Sequence, residues 1–446
     1  MIKRSIFVLL MGALIMTTAC NSGGNEKVES KGKTTTEEGK TILTLSLAES
    51  SAFYQALEKK FEAKYPDIDL QIKAYKEEGN EWGENGYVEY KKTTNTALLS
   101  GKGADIFDVS AFSINDYVSK KLLVNMNDIF EHDKTVNKSD LEINVLDAMK
   151  VSDGLYFIPT GFAFRAFIGD GNMIKNSNVK IDDKNWTWKE FGEQSKEIIQ
   201  LTGKDAKNKL YALTEYPAEM TLQEMAIDNY NLFVDSEAKQ AKFDSPDFVE
   251  LLEQVKKMYK EQVMTSEPAE IGNQLFNSIV IWSPTDFIDG PYSYFENPVY
   301  LQKPHAGQTG GMRIIPSSSL AIQANTPVKE EAYKFMTFLL SEEAQSLQDR
   351  EGFSLLQSVN DKNLNDIQEK MKSGAYKLPT GKVAKVSDEE FTKFKEIIHT
   401  VDQYAELDTK VLSIIGEESS SFFSGQKSAE AVAKLIQNRV TIVLNE

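Results

Sequence analysis

Hydrophobic residues first fall into a regular order over residues 43–72. Leu43, Leu45 and Leu47 alternate with polar residues, which is typical of a strand with one buried face. Large apolar residues then recur at every fourth position over 53–65, the spacing that lines one face of a helix. Alternation returns over 68–72, so this region predicts a β-α-β unit.

The pattern downstream predicts more helices and short strands. A polar loop over 76–90 precedes a helix that ends near Ser100, and 104–109 are expected to form a short buried strand. Apolar stripes at helical spacing recur over 248–259, 332–339 and 432–443. This alternation of strands and helices predicts an α/β body whose sheets are covered by helices.

Several helix starts carry a hydroxyl residue followed by an acid, which satisfies backbone N–H groups that have no partner inside the helix. Ser113 with Asp116, and Thr187 with Glu190, have the spacing of such a cap. Thr326 predicts a third start, with Pro327 in the first helical position.

The N-terminus has the order of a secretory signal. Lys3 and Arg4 precede an apolar run over 6–16, and small residues precede Cys20. About eleven apolar residues are too few to span a bilayer, which requires about twenty. We therefore predict a signal peptide over residues 1–19.

Cys20 is the single cysteine of the chain, so neither an intrachain disulfide nor a thiolate metal site is expected. The small residues before it resemble the lipobox of bacterial lipoproteins, in which a lipidated cysteine becomes the new N-terminus. Residues 20–40 are polar and predict a flexible, lipid-anchored tether. The membrane is then contacted only through the lipid on Cys20, at the extracellular face of the cell membrane; secretion with an unmodified Cys20 is the alternative.

The body after residue 40 is long enough for two domains. The chain has 50 Lys and Arg against 67 Asp and Glu, a formal net charge of −17, and this balance argues against nucleic acid because phosphate binding needs clustered cations. The three histidines, His132, His305 and His399, are isolated, so no metal site is expected. No catalytic set and no cofactor are expected either.

Seven segments in order resemble the family 1 extracellular solute-binding proteins, the substrate-binding lipoproteins of ABC importers that include maltose and oligosaccharide receptors. Together they run over nearly all of the chain after the tether. They are LTLSLAESSAFYQALEKKFEAKYPDIDLQIKAY, GADIFDVSAFSINDYVSKKLLVNMNDIF, GLYFIPTGFAFRAFIGDGNMI, NWTWKEFGEQSKEI, SSSLAIQANTPVKEEAYKFMTFLLSEEAQ, EGFSLLQSV and GQKSAEAVAKLIQNRVTIVLNE.

The resemblance implies an α/β, two-lobed periplasmic-binding-protein-like fold of type II, with discontinuous lobes joined by a three-segment hinge. It also implies a monomer that captures a small polar ligand, a sugar or oligosaccharide, and delivers it to the permease subunits of an ABC importer. The expected boundaries are 41–158 plus about 313–352 for lobe 1, about 163–310 plus 355–446 for lobe 2, and 159–162, 302–314 and 351–354 for the hinge.

Residues at strand ends and near the hinge are the candidates for ligand binding, because ligands of α/β sheets collect beyond the carboxyl ends of strands. Sugar sites pair aromatic side chains with a few polar groups. The candidates are Glu49, Ser50, Ser110, Phe112, Phe162, Trp282, Ser283, Asp286 and Tyr292. Each has a plainer interpretation: Phe162 suits a core position, and Glu49 suits an acid in the first turn of a helix.

Two other functions fit the same features. A secreted glycoside hydrolase would also be acidic and two-lobed, with two carboxylates across a cleft. A sensor accessory protein would present bound ligand to a receptor without transport. Substrate turnover would indicate the hydrolase, and permease genes next to this gene would favour import.

Overall fold

The computed structural model describes residues 34–127, 133–203, 209–214, 216–270, 272–305, 311–381 and 383–445. The predicted signal peptide, Cys20, His132 and most of the predicted tether lie outside these residues.

The strands form two principal sheets and one short hairpin. In chain order they are β1 (Thr41–Glu49), β2 (Ile68–Lys76), β3 (Ile106–Asp108), β4 (Ile158–Pro159), β5 (Phe162–Asp170), β6 (Val234–Asp235), β7 (Gln240–Ala241), β8 (Phe276–Ile281), β9 (Pro298–Leu301), β10 (Arg313–Pro316) and β11 (Ser319–Ile322).

Helices cover the sheets and make up most of the remaining regular structure. They are α1 (Ala52–Lys64), α2 (Gly86–Leu99), α3 (Ile114–Ser119), α4 (Ile143–Ala148), α5 (Gly171–Ser177), α6 (Trp188–Thr202), α7 (Ala218–Asp228), α8 (Tyr230–Phe233), α9 (Pro246–Lys260), α10 (Pro291–Tyr294), α11 (Lys329–Leu339), α12 (Glu342–Gln345), α13 (Gln357–Lys372), α14 (Asp388–Ile398), α15 (Thr409–Phe423) and α16 (Ala429–Asn445).

The first sheet has the order β2-β1-β3-β11-β4. The predicted β-α-β unit is present, since β1 and β2 run parallel on either side of α1 in the chain and Leu45 lies opposite both Ile72 and Ile106. Leu43, Leu45 and Leu47 are fully buried, as the alternating pattern predicts. Because β1 and β3 are parallel, their carboxyl ends meet at one edge of the sheet.

The second sheet is built around the long strand β5. Its first half pairs with β10, its second half with β9, and its other edge with β8, all antiparallel. The two halves of the molecule therefore have separate sheets, and the two-lobed α/β prediction is confirmed.

The chain passes from the first sheet to the second at Thr160 and Gly161, between β4 and β5. It returns at Ser317 and Ser318, between β10 and β11. Residues 313–316, which the sequence analysis assigned to the first lobe, instead pair with β5 in the second sheet. The reason is that β10 and β11 form one nearly continuous extended stretch, whose change of sheet leaves no mark in the hydrophobic pattern.

A third passage lies beside the first. Phe162 and Phe353 exchange backbone hydrogen bonds, with N···O distances of 3.1 and 2.6 Å. After it, α13 and α14 bury their apolar faces in a core that contains residues of both sheets, whereas α15 and α16 join a second core that lies in the second lobe. The assignment of 355–446 to lobe 2 stays a prediction.

Two of the three predicted helix caps are present. Ser113 accepts a hydrogen bond from the Asp116 N–H, and Thr187 forms a reciprocal capping box with Glu190. The third start is wrong by two residues, because the helix begins at Lys329 rather than at Pro327. The Thr326 hydroxyl donates to the buried Asp105 carboxylate at 2.7 Å, which fixes 326 and 327 outside the helix.

Candidate functional site

The carboxyl edge of the first sheet brings together four predicted ligand residues. Glu49 is the last residue of β1 and Ser50 follows it, while Ser110 and Phe112 follow β3. The polar side chains already have protein partners: the Glu49 carboxylate pairs with Lys76 Nζ at 2.5 Å, and Ser50 Oγ donates to Glu77 at 3.0 Å. A ligand at this edge would meet groups whose positions are set by the end of β2.

Ser110 connects two strands at this edge. Its hydroxyl donates to Asp108 Oδ1 at 2.6 Å and accepts a hydrogen bond from the Ser319 N–H at 2.8 Å. Burial raises the pKa of Asp108, while the hydrogen bonds from Ser110 and Ser319 act in the opposite direction. Ser110 therefore holds β11 against β3, and its ligand role stays a prediction.

An aromatic cluster adjoins the same edge. Successive members have ring centroids 5.0 to 6.0 Å apart, and the buried Tyr90 hydroxyl donates to the Asp108 carbonyl at 3.4 Å. The rings of Tyr75 and Tyr87 are each 44% exposed, which leaves aromatic surface available to a ligand. The members of the cluster are Tyr75, Trp82, Tyr87, Tyr90, Phe112 and Tyr117.

In the second lobe, Trp282 follows directly after β8 and is 41% exposed. The Asp286 carboxylate accepts hydrogen bonds from the backbone N–H groups of Trp282 and Ser283, both at 2.8 Å. Asp286 and Ser283 thus form the cap of the short 3-10 helix Pro284–Phe287. Their carboxylate and hydroxyl hold the turn that presents the indole.

Strand register places Trp282 on a partly exposed face of the second sheet. Val280, Arg165 and Arg313 lie opposite one another on β8, β5 and β10, and directly paired residues share a face. Continuing the register by one residue puts Trp282 beside Ala163. We call this surface the β5 face; its members are Ala163, Arg165, Val280, Trp282, Arg313 and Ile315.

Five charged groups meet at the β5 face. Glu224 of α7 pairs with Arg165 Nη1 at 2.5 Å and with Lys303 Nζ at 3.3 Å. Lys303 also reaches Asp228 at 2.5 Å, and Arg313 Nε lies 4.0 Å from the same carboxylate. Burial opposes ionisation of Glu224, but Lys303 and Arg165 hold its pKa below the usual value. Burial lowers the pKa of Arg313.

Two predicted ligand residues have other surroundings. The Phe162 side chain is 0% exposed and packs on Phe353 with ring centroids 5.8 Å apart, so it has no surface for a ligand and the expectation is corrected. Tyr292 is half-buried and donates from its hydroxyl to Glu390 at 2.6 Å. It therefore joins α10 to α14.

Comparison with known proteins gives the family. The family model described as "Bacterial extracellular solute-binding protein" matches residues 45–346. The chain belongs to this family. The resemblance seen in the sequence is thereby confirmed.

Solved structures of other solute-binding proteins share the fold along the chain. The sugar-binding protein MalE from Xanthomonas citri superposes with a TM-score of 0.61 at 16% identity, covering 91% of this chain and 98% of that one. A family 1 protein from Alicyclobacillus acidocaldarius has a TM-score of 0.59 at 17% identity, with 91% and 99% covered. The cyclic alpha-maltosyl-1,6-maltose binding protein from Arthrobacter globiformis has a TM-score of 0.58 at 12% identity, with the same coverage.

A curated relative matches a shorter stretch of this solute-binding protein. It is an uncharacterized ABC transporter extracellular-binding protein of Pyrococcus horikoshii, 33% identical over 141 residues. The match covers 30% of this chain and 30% of that protein.

Polar side chains form contacts between the two lobes of this solute-binding protein, and two of these contacts are at the start of α3, shortly after Ser110 and Phe112. Glu406, in the segment before α15, accepts from the Asn115 side chain at 2.8 Å. On the β6–β7 hairpin, Lys239 pairs with Asp116 at 3.1 Å, while Glu237 accepts from Ser152 Oγ at 2.8 Å. The lobes thus touch through polar side chains at the start of α3 and at the hairpin.

The charged part of the β5 face was not predicted from the sequence. Arg165, Lys303 and Arg313 are scattered along the chain, and only strand pairing brings them together. One feature of the sequence could have indicated this charged site: Arg165 is a charged residue inside the apolar run Phe162–Ile168.

Over the described ranges, no helix is long and apolar enough to cross a membrane. The same residues contain no group of three or more His, Cys, Asp or Glu side chains arranged to hold a metal ion.

Proposed function

We propose that this solute-binding protein captures a carbohydrate between its lobes and delivers it to an ABC importer. The observation that carries the proposal is the exposed Trp282 on the second lobe together with the exposed rings of Tyr75 and Tyr87 on the first. Sugar rings present C–H faces that pack on aromatic side chains, while their hydroxyls need polar partners. Glu49 and Ser50 are polar residues at the carboxyl edge of the first sheet, and Arg165 and Arg313 are polar residues of the β5 face.

Similar proteins support a sugar as the ligand class. The similar structures include a protein named as sugar-binding and one named for a cyclic maltosyl-maltose. Their low identity shows only the shared fold, so the choice of carbohydrate here depends on the aromatic surfaces.

Closure of the lobes is the proposed mechanism. A ligand that touches both lobes favours the closed form by its difference in affinity between the two forms. The importer then recognises the paired lobe surfaces. The exposed ion pair between Lys239 and Asp116 at the β6–β7 hairpin is weak enough to exchange with contacts to a ligand.

Anchoring through a lipid on Cys20 completes the proposal and places the receptor at the extracellular face of the membrane. Cys20→Ser should move the protein from the membrane fraction to the medium, because one side chain would carry the anchor. Recovery of the unchanged protein in the medium, without lipid, would refute the anchor and leave ligand capture unaffected.

The test is a thermal-shift screen with neutral and charged oligosaccharides, peptides, polyamines and phosphonates. A ligand that binds only the folded protein raises the melting temperature as its concentration exceeds the Kd. Trp282→Ala and Tyr87→Ala should each weaken the binding of the hit by about tenfold or more. Leu201→Ala is the control, because Leu201 is exposed at the end of α6 and lies outside the proposed site.

The carbohydrate proposal fails if no sugar shifts the melting temperature, or if Trp282→Ala and Tyr87→Ala bind the hit as tightly as the unaltered protein. Release of shortened sugar products during the screen would instead indicate a hydrolase.

A further inference from the structure

Two arginines lie directly opposite each other on the β5 face. Arg313 of β10 is the register partner of Arg165 of β5, so their side chains leave the sheet on the same side, with Cβ atoms about 5 Å apart. Like charges in this relation repel each other. The pair therefore requires compensation by nearby anions.

The acids present compensate only part of this charge. Arg165, Lys303 and Arg313 supply three positive charges, while Glu224 and Asp228 supply two negative charges. Lys303 contacts both acids and Arg165 contacts one of them, so these two cations are paired. The cluster keeps an excess of one positive charge, in a protein whose formal net charge is −17.

Arg313 carries the excess. Its closest acid oxygen is 4.0 Å away, and within the described ranges its guanidinium makes no hydrogen bond, with Nε both buried and without a partner. The buried Nε of Arg165 also lacks one. A buried donor without an acceptor is destabilising, and a buried charge even more so. Packing of the second lobe alone does not explain Arg313.

A cavity of about 50 Å³ lies against these side chains. By the same measure one water needs about 10–15 Å³, so the cavity can hold a group of a few heavy atoms. Its walls include Arg165, Asp228, Tyr230, Lys303, Arg313 and Tyr404.

Trp282 does not line the cavity, but it follows β8 on the β5 face that also carries Arg165 and Arg313. With the β8 register continued by one residue, Trp282 lies one strand and two residues from Arg165, and Arg313 lies one strand further on the same β5 face. Diagonal neighbours in a sheet lie about 7–8 Å apart, so Arg165 is the nearer of the two arginines to the indole. One ligand can therefore contact the indole and the arginines together.

We infer that the ligand is an acidic sugar, a uronic acid or its oligosaccharide, whose carboxylate is bound by Arg313 and Arg165 while its ring packs on Trp282. This inference rests on the proposed carbohydrate function and names the ligand class. The planar guanidinium accommodates a carboxylate through two parallel N–H···O bonds. A carboxylate in the cavity supplies the missing negative charge and the missing acceptors. Sulfate and phosphate esters share this chemistry, so the test must separate them.

The experiment compares matched ligands by titration calorimetry. Oligogalacturonates and oligoglucuronates are each measured beside their neutral methyl esters, and sulfated and phosphorylated sugars form further arms. The acid form should bind at least about tenfold more tightly than its ester, which is a modest share of what a desolvated charge pair contributes.

Substitutions test whether Arg313 causes the preference for the acid over the ester. Arg313→Gln should remove the preference for the acid over the ester, and Arg313→Lys should restore part of it because charge returns without the guanidinium geometry. The control is Arg439→Gln, which removes the same charge from an exposed ion pair with Glu417 and Glu418 and should leave the preference unchanged. If Arg313→Gln does not fold, the ratio of the affinities of the unaltered protein for acid and ester still tests the acidic-sugar inference.

The outcomes separate the two claims. Equal affinity for acid and ester overturns the acidic-sugar inference and leaves sugar capture standing. Preference for sulfate or phosphate esters over the carboxylate also overturns it. If no sugar binds in any arm, both the inference and the proposed function are refuted.

Discussion

The Glu406 carboxylate accepts two hydrogen bonds from Asn115, one from the side-chain amide at 2.8 Å and one from the backbone N–H at 3.3 Å. Glu406 precedes α15, whose apolar face lies in the second lobe, whereas Asn115 is in the first turn of α3 beside the first sheet. Burial raises the pKa of Glu406, and the hydrogen bonds at the start of α3 oppose this rise. A half-buried acid thus connects the two lobes.

Glu406→Ala should shift the ligand-free protein towards more open forms. The change removes hydrogen bonds to a charged group, each typically about 1.5–3 kcal/mol, and these bonds exist only while the lobes are in contact. Small-angle scattering should show a larger radius of gyration. Glu417→Ala, an exposed acid of α15, is the control and should leave the radius unchanged; an unaltered radius in Glu406→Ala would show that the contact does not hold the lobes together.

His399 should make stability depend on pH. Its Nδ1 lies 3.0 Å from the fully buried Glu142 carboxylate, and Asp361 is 3.5 Å from Nε2. The hydrogen bond to Glu142 raises the pKa of His399 above its ordinary value of 6.5. A raised folded-state pKa means that the stabilisation is complete below about pH 6.5 and is lost as the pH rises through the folded-state value.

His399→Gln should therefore lower the melting temperature most at about pH 5.5, with the difference from the unaltered protein shrinking towards about pH 9. Loss of a hydrogen bond between charged groups should lower the free energy of unfolding by about 1.5–3 kcal/mol at the acidic end of this pH range. Lys393→Gln, which removes an exposed pair on the same helix, should give a small difference that does not change over this range. A His399→Gln effect that is constant with pH would contradict the assignment.

Gly161 lies where the first and third passages between the lobes run side by side. A Cβ at this position would lie 2.3 Å from the Glu351 carbonyl oxygen and 2.9 Å from that of Phe353. Gly161→Ala must push these segments apart, and we expect a loss of about 1–3 kcal/mol in the free energy of unfolding, as for overpacking.

Gly290→Ala is the matched control for that change, since nothing lies within 4 Å of its Cβ position and its backbone is helical. It should be neutral or slightly stabilising. Denaturant unfolding of both variants measures the difference; equal midpoints would show that the two passages can separate freely.

Glu224→Gln should destabilise the second lobe. The side chain neutralises both Arg165 and Lys303; Lys303 keeps Asp228 as a partner, so the loss leaves the partly buried Arg165 without an acid, at about 1–3 kcal/mol. The pKa of Glu224 is lowered in the folded protein. Its contribution to stability is therefore present above the pKa of about 4.5 in the unfolded chain and is lost as the pH falls through the folded-state pKa. The variant should therefore approach the unaltered protein in acid.

Glu417→Gln provides the comparison for Glu224, because it breaks an exposed pair with Arg439. Exposed pairs contribute about 0.2–1 kcal/mol. Unfolding curves at neutral and acidic pH distinguish the two variants, and similar small losses for both would show that the cluster at the β5 face is solvated.

Local periodicity accounts for the elements that the sequence predicts well. Leu43, Leu45 and Leu47 alternate because a strand has a period of two, and they are fully buried in β1. The caps at Ser113 and Thr187 are equally local, since donor and acceptor lie three residues apart. Such features need no knowledge of the rest of the chain.

Errors arose where a distant partner decides the outcome. Thr326 was expected to start a helix, but its hydroxyl is hydrogen-bonded to Asp105, far away in the chain. Phe162 was a candidate for ligand contact, but pairing with Phe353 buries it. In both cases the local pattern was compatible with two structures, and a long-range contact selected one.

By itself, the sequence determined the two-lobed α/β family and the order of its main elements, because these follow from periodicity and from ordered similarity. Only the tertiary structure decided that Arg165 and Arg313 share a face with Trp282. Side-chain direction along each strand is local, but which strands become neighbours, and in which register, depends on packing of the whole lobe. The charge of the candidate site is therefore a property of strand pairing that no single segment contains.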